Sequence, residues 1–555
     1  MQCCETINCS DQGTICIPKS DLPRIVIVGG GFAGLNLVKK LKNKPVQIVL
    51  IDKNNHHQFL PLLYQVATSG IEPDSIVFPF RKLFKHYPNV IFRMAEAVRV
   101  EPEQNQLTTS IGTIAYDYLV LAGGSETNYF GNKDFKHFGQ GLKTTIDALD
   151  LRSRLLQNLE RAAVTCVKED KEALSSVVVI GGGATGVEIA GALAEFKRYI
   201  LPQDYPELGN IEMKIYLIEA ADRLLQGMPT RLSEKTRKYL GEMKVDVLLN
   251  NTVSSYDGTK LLLGNGHSIR AENFIWTAGV CGRPLDGIPD QAIGRQKRIL
   301  VDNYNRIPPL KNVFAIGDLA SMKTTSYPNG HPMVAQVAIQ QGKMLAYNLL
   351  QIINNKSLLP FAYRDKGSMA TIGKKKAVAR IGRLQSGGFF AWLIWSFIHL
   401  ISIIGVRNKL LIAINWLWSY FSYDKGNRVI IRKYISYLDR LRKYLVDKEK
   451  IVFVLGYSFG DDHINDVIVN GLNSNHRLSL IALAYDEDTF NKGVGLLGNY
   501  PNFSVYTEKK KYSNRRENTF DSTSNIGDFK NFITLIDEVT FTKPLSTDPK
   551  TTSAT

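Results

Sequence analysis

Cysteine is scarce: there are six in 555 residues, and Cys3, Cys4, Cys9 and Cys16 crowd the first sixteen positions. A chain this long has no need of a disulfide framework, so a reducing compartment is the expectation. The spacing of the four early cysteines fits no ordinary zinc pattern, and no metal site is expected. Residues 52–80 contain no cysteine at all. The first 22 residues also lack the apolar core of a signal peptide and read as a disordered polar tail. Long apolar runs are missing as well. The stretch Phe389–Val406 is uncharged for eighteen residues, which at ~1.5 Å per residue gives ~27 Å, marginal against a bilayer core of ~30 Å. A polytopic membrane protein is therefore excluded. With 44 % hydrophobic and 22 % charged residues, so are wholesale disorder and a collagen-like chain. A shortage of acid leaves a net charge of +16, which favours anionic surfaces such as lipid head groups or nucleic acid.

What is present is a repeat. Arg24–Val28 is a short β-branched run followed by Gly29-Gly-Gly-Phe-Ala-Gly34, a helical pattern, and a second run, Val46–Ile51, ending at Asp52. Val177–Ile180 leads in the same way into Gly181-Gly-Gly-Ala-Thr-Gly186, a helix, and a run Lys214–Ile218 ending at Glu219. Strand, glycine turn, helix, strand and acid, occurring twice, predict an α/β protein with two Rossmann-type dinucleotide-binding domains. In each turn the first glycine (Gly29, Gly181) permits the bend and the second (Gly31, Gly183) lets backbone approach a pyrophosphate. The third (Gly34, Gly186) lets helix pack on strand. Asp52 and Glu219 then stand where ribose hydroxyls arrive. A carboxylate there repels a 2′-phosphate, so Glu219 argues for NADH over NADPH. Two such sites on one chain suggest electron transfer between a flavin and a nicotinamide. The small residues closing Tyr116–Gly124 (Ala122, Gly123) and Phe274–Val280 (Ala278, Gly279) read as close approaches to a cofactor or as plain interdomain turns. In Asn312–Ala320, Gly317 and Asp318 would face a flavin's ribityl chain.

Four of the five tryptophans (Trp392, Trp395, Trp416 and Trp418) fall within residues 389–423. Tryptophan prefers the lipid–water interface, so a platform dipping into one leaflet is expected here, with a buried or a spanning helix as the alternatives. Arg407, Lys409 and Arg428 would meet anionic head groups. Arg428–Lys450 has an amphipathic helix pattern, Ile451–Leu455 opens a final α/β segment, and the Thr/Ser/Pro-rich end from Lys543 reads as disordered.

The chain from Pro23 to Ile431 resembles the type II NADH dehydrogenases, single-chain NADH:quinone oxidoreductases of the two-dinucleotide-binding flavoprotein superfamily. The resemblance rests on Gly29–Gly34, Gln58–Ala67, Gly181–Glu188, Asn312–Ala320, Ala335–Gly342, Gly367–Gly373, and Arg407-Asn-Lys409 with Trp416. It implies hydride transfer from NADH to FAD and then two electrons to a membrane quinone, without proton pumping. FAD would be held by Gly29, Gly31, Gly34, Asp52, Lys53, Ala122, Gly123, Gly317 and Asp318, and NADH by Gly181, Gly183, Gly186, Glu219, Ala278 and Gly279. Catalytic roles would fall to Glu188 near both rings, to Gln336 and Gln340 at the quinone head, and to a lysine after Gly373, with Lys375 favoured within the run 374–376. Glu188 is either a structural acid or a carboxyl of raised pKa that handles protons. The implied partners are a membrane quinone and a lipid surface rather than nucleic acid, with a homodimer open. The implied location is the cytoplasmic face of the cell membrane, peripheral or monotopic.

These readings divide the chain into a cysteine-containing tail (1–22), an FAD-binding domain in two parts (23–145 and 281–385, the second with the quinone site) and an NADH-binding domain (146–280). A membrane-anchoring region (386–432), a segment resembling part of a sirtuin-like domain (433–542) and a disordered end (543–555) follow. The missing cysteines at 52–80 exclude the thiol relay of the superfamily's disulfide reductases. A sulfide:quinone reductase-like flavoprotein would need Cys166 and Cys281 to meet, and stays as an alternative. So does an NAD-binding regulatory or defence protein working through its sirtuin-like end.

Overall fold

The β-branched runs become parallel strands buried on both faces, which is why they read as continuous rather than alternating apolar segments. The computed structural model describes residues 14–209, 211–422 and, between 441 and 519, all but 443, 447, 448, 461, 476, 508, 509 and 514. It divides into two units, Met1–Ile431 and Arg432–Thr555.

In the first unit, one five-stranded sheet has the order Val313–Ala315, Tyr118–Leu121, Arg24–Val28, Gln47–Asp52, Val90–Met94, all parallel. A second sheet of four parallel strands has the order Asp246–Leu248, Ile215–Ile218, Val177–Ile180, Asn273–Trp276. In both, the strand before the glycine turn lies between the acid-bearing strand and a strand from later in the chain. That arrangement makes a crevice at the carboxyl ends of the strands. Helices Phe32–Leu41 and Ala184–Tyr199 start from these turns. An antiparallel sheet, Ser368–Thr371, Ala377–Ile381 and Leu384–Gly388, follows the long helix Ala335–Ile353.

That last sheet runs straight into the aromatic stretch, which forms two helices, Phe389–Ser402 and Val406–Ser422. They part at Gly405, whose φ of +87° and close packing on Phe78 turn the chain two residues before the charges at 407–409. Among the described residues no helix is long and apolar enough to cross a membrane. The pair is two-faced. Trp395, Ile403 and Ile412 are buried in the main core, while Phe390, Phe397, Val406, Leu410 and Ile414 are exposed. The tryptophans divide accordingly, and the interface expectation fails for two of them. Trp395 is buried, and Trp416 turns inward to donate its Nε1–H to Gln65 Oε1 at 2.8 Å; Trp418 is exposed.

The expected tail is also shorter than 1–22. Ile15 is buried and its N–H donates to Thr113 O at 2.8 Å, and Arg93 and Gln47 donate to the Cys16 and Pro18 carbonyls. The short apolar run Ile15-Cys-Ile-Pro18 supplies this contact, with Ile17 packed against the same cluster as Ile15. Cys3, Cys4 and Cys9, most of Arg428–Lys450 and the end from Lys543 lie outside the described residues.

The second unit is a five-stranded sheet. Lys450–Leu455, Leu478–Leu483 and Phe503–Tyr506 are parallel, and Lys510–Ser513 and Arg516–Thr519 continue it antiparallel. Helices Asp462–Ser474 and Glu487–Leu497 contribute Val467, Leu472, Phe490 and Leu497 to its core.

Candidate active site

The two glycine turns are built alike. Gly29 and Gly181 have φ of +102° and +107°, a region closed to residues with a Cβ. A Cβ on Gly34 would sit 2.0 Å from Gly29 O, and one on Gly186 1.8 Å from Gly181 O. These third glycines therefore stand behind the wall, where helix meets turn. A Cβ on Gly31 or Gly183 would meet nothing within 4 Å, because both face open cleft. Each caps its helix without a side-chain hydrogen bond, so the first-turn N–H groups stay available to an anion. The acids are fixed by backbone. Asp52 accepts from Gly30 N at 2.7 Å and Asn54 N at 2.8 Å, and Glu219 from Gly182 N at 2.5 Å and Ala221 N at 2.9 Å. Burial pushes the Asp52 carboxyl up, against the pull of those amides.

Above each turn lies a cleft. The first, about 660 Å³, is lined by Gly29, Gly31, Asp52, Lys53, Ala122, Gly123, Gly317, Asp318 and Glu188. Its far wall is a polar relay: Lys143 Nζ donates to Ser125 Oγ at 2.9 Å, and Ser125 Oγ donates to Asp318 Oδ2 at 2.8 Å. Burial lowers the Lys143 pKa, with Asp318 and Asp147 opposing. An open glycine cradle at one end, a ribose-facing acid and a cation–carboxylate pair beyond it fit FAD. The second cleft, about 1080 Å³, is lined by Gly181, Gly183, Glu219, Ala278 and Gly279 and continues past Gln336 and Gln340 to the helix Phe389–Ser402. The two clefts share Phe32, Pro61, Trp276, Thr277, Gly279 and Ala335 as walls. They adjoin.

Glu188 stands on Ala184–Tyr199, one turn beyond the glycine turn. It is 9 % exposed, and desolvation pushes its pKa up to about 8, with only a long hydrogen bond from Thr371 N, 3.4 Å, opposing. Among the described residues no cation pairs with it. Beside it Tyr64 shares a 3.0 Å hydrogen bond with Thr371 Oγ1 and accepts one from Gln65 Nε2 at 2.9 Å. Burial, then the Glu188 charge, raises the Tyr64 pKa.

Gln336 and Gln340 line the second cleft, but their amides are occupied. Gln336 bridges Gly367 O and Lys366 N, and Gln340 bridges Arg364 O and Arg364 N, at 2.7–3.0 Å. They clamp residues 364–367 onto the helix and leave one N–H each for a ligand. Lys375 lines neither cleft. It is exposed at the turn between Ser368–Thr371 and Ala377–Ile381, with φ of +66°. Its neighbour Lys376 pairs with Glu242 at 2.6 Å. The three consecutive lysines mark an exposed turn; the lysines that line the second cleft are Lys343 and Lys366.

Sequence reasoning missed Tyr64, Thr371, Ser125, Lys143 and Gln341. Gln341 is fully buried and accepts from Gly317 N at 2.7 Å, which fixes the turn before Asp318. Its place in the Ala335–Gly342 run was a usable signal, as were those of Tyr64 in Gln58–Ala67 and Thr371 in Gly367–Gly373; Ser125 and Lys143 carry none without contacts. Cys166 is exposed and Cys281 buried, and neither lines a cleft, which removes the support for a sulfide relay.

Residues 23–342 match the family Pyridine nucleotide-disulphide oxidoreductase, and residues 366–422 match the NDH2 C-terminal domain. The type II NADH:quinone oxidoreductase NdhA of Mycobacterium tuberculosis is 34 % identical over 429 residues, covering 74 % of this chain and 90 % of its own. The internal alternative NAD(P)H-ubiquinone oxidoreductase A1 of Arabidopsis thaliana mitochondria is 30 % identical, covering 72 % of this chain and 85 % of its own. NDH2 of Plasmodium falciparum, solved in complex with NADH, shares the fold with a TM-score of 0.67 at 21 % identity, over 72 % of this chain and 98 % of its own. The chain belongs to the type II NADH:quinone oxidoreductase family.

Proposed function

We infer that this chain is an FAD-dependent enzyme that oxidises NADH with a membrane quinone. The observation that carries the reading is the shared wall of the two clefts: two ligands, each anchored on its own glycine turn, meet at Trp276–Gly279. FAD is assigned to 23–145 with 281–385, and NADH to 146–280. Bound FAD supplies the two-electron redox chemistry that side chains lack.

The protein's own work is placement and proton supply. Gly183 and the uncapped helix turn hold the NADH pyrophosphate, and Glu219 takes the adenosine ribose hydroxyls and repels a 2′-phosphate. Holding both rings in near-attack geometry removes much of the entropic barrier. Converting NADH and quinone into NAD⁺ and quinol consumes one proton beyond the hydride. Glu188, protonated at neutral pH and close to the shared wall, is the carboxyl that holds it, and Tyr64 and Thr371 fix its surroundings. Gln336 and Gln340 keep the floor of the quinone end in shape.

The exposed apolar face of Phe389–Ser402 and Val406–Ser422 docks on one leaflet, with Arg407 at the head groups. The side docked is the one that meets cytoplasmic NADH. Steady-state NADH oxidation with a quinone dissolved in anionic vesicles tests the reading. Quinone-dependent NADH loss with co-sedimentation is expected; NADH loss that is indifferent to quinone contradicts it.

A further inference from the structure

One stretch of the second cleft is apolar, with Phe59, Ile339 and Ile398 beside Phe32 of the shared wall, and one imidazole, His399, is among the cleft's described lining residues. It stands on Phe389–Ser402, in the helix pair whose other face is exposed. Its ring stacks on Trp395 at 4.1 Å and meets the edge of Phe59 at 6.2 Å. Nδ1 lies 2.8 Å from Trp395 O. A carbonyl oxygen only accepts, so Nδ1 carries the hydrogen. Burial among aromatic rings pushes the ring's pKa down to about 4, and the imidazole is neutral at physiological pH. Nε2 is then a bare acceptor, on the ring edge turned away from its own helix.

An acceptor in this position discriminates between the two forms of one substrate. A quinone presents carbonyl oxygens, which need donors. A quinol presents hydroxyls, which donate. We propose that His399 is a specificity-determining residue of the quinone end, its Nε2 accepting a hydrogen bond from a quinol hydroxyl and offering none to a quinone carbonyl. The proposal rests on the reading of this cleft as the quinone site. The contact forms only as the reduced ring oxygen gains its proton, so it favours the product side of the reaction. It also sets how tightly product competes with substrate.

The test uses full-length protein, decyl-benzoquinone as substrate, and decyl-benzoquinol and its dimethyl ether as competitors. The ether keeps the ring and oxygens, lacks the donor and adds two methyl groups, so the His399-dependent part of the quinol-to-ether affinity ratio is what is read. One neutral hydrogen bond corresponds to about a tenfold affinity difference, so wild type binds the quinol about ten times more tightly than the ether. In His399→Phe that ratio falls to about one, and in His399→Gln, whose amide also accepts, part of it returns. A wild-type ratio near one, or a ratio that survives in His399→Phe, overturns the proposal. Ile339→Trp separates this from the parent reading by narrowing the same cleft. An unchanged quinone KM there overturns the cleft assignment and the proposal together. A raised KM with no discrimination against the ether overturns the proposal alone.

Discussion

The two glycine turns have an equivalent hinge glycine, an equivalent helix–turn contact and an acid, Asp52 or Glu219, held by an equivalent pair of backbone amides, yet the clefts above them differ. The first is closed by a half-buried cation–hydroxyl–carboxylate relay, Lys143–Ser125–Asp318. Among the described residues the second has no such relay and runs on past Gln336 and Gln340 to the helix Phe389–Ser402. The phosphate cradle is therefore generic. What separates a resident cofactor from a passing substrate is what the rest of the chain adds beyond it.

Swapping the equivalent glycines makes the sharpest use of this difference. Both Gly31 and Gly183 face open cleft, so a Cβ at either position meets nothing within 4 Å and a side chain there occupies the cradle. Gly31→Val is expected to purify colourless. Gly183→Val is expected to keep its flavin spectrum while the KM for NADH rises by about a hundredfold, the loss of several charge-assisted hydrogen bonds. Colour lost in both variants would break the comparison.

Glu188→Gln is next in size. Removing the proton holder should slow quinone turnover by about a hundredfold. In wild type, activity falls as pH rises past about 8, where the carboxyl ionises; the variant's profile should be flat there. The stability consequence has a definite sign. The folded pKa is raised, so between the ordinary carboxyl value of 4.5 and about 8 the folded state keeps a proton that the unfolded chain has lost. Stability therefore declines as pH rises through that window. Glu188→Gln should be more stable than wild type at the top of the window and equal to it at the bottom, by urea denaturation.

Glu219→Gln removes the charge that repels a 2′-phosphate. The kcat/KM preference for NADH over NADPH should shrink by about tenfold, with flavin content unaltered. The smallest effect belongs to the link between the outer helices and the site. Trp416→Phe leaves Gln65 Oε1 without its donor and should cost about 1 kcal/mol in urea unfolding, with NADH binding untouched.

Much of this was legible because glycine turns and parallel strands are local. Each turn's spacing is dictated by its own backbone, so Gly29–Asp52 and Gly181–Glu219 could be read from short windows. Three kinds of feature could not. Lys143, Ser125 and Asp318 come from three separate segments, and no periodicity links them. Trp416 follows the rule that tryptophan favours an interface only until Gln65 offers it a partner 351 positions away. The lysines at 374–376 are misleading because charge density cannot tell a cleft from an exposed turn. There the backbone decided: Gly373 lies against Glu195 and Met243, with φ of +70°, which sends the turn outward.

The most direct test of the account is an anaerobic absorption titration of the purified full-length protein, with NADH added first and a short-chain quinone second. Clefts that meet at Trp276–Gly279 predict a flavin spectrum that bleaches with one equivalent of NADH and returns in full with one equivalent of quinone. A spectrum unmoved by NADH, or bleached and never restored by quinone, would contradict it.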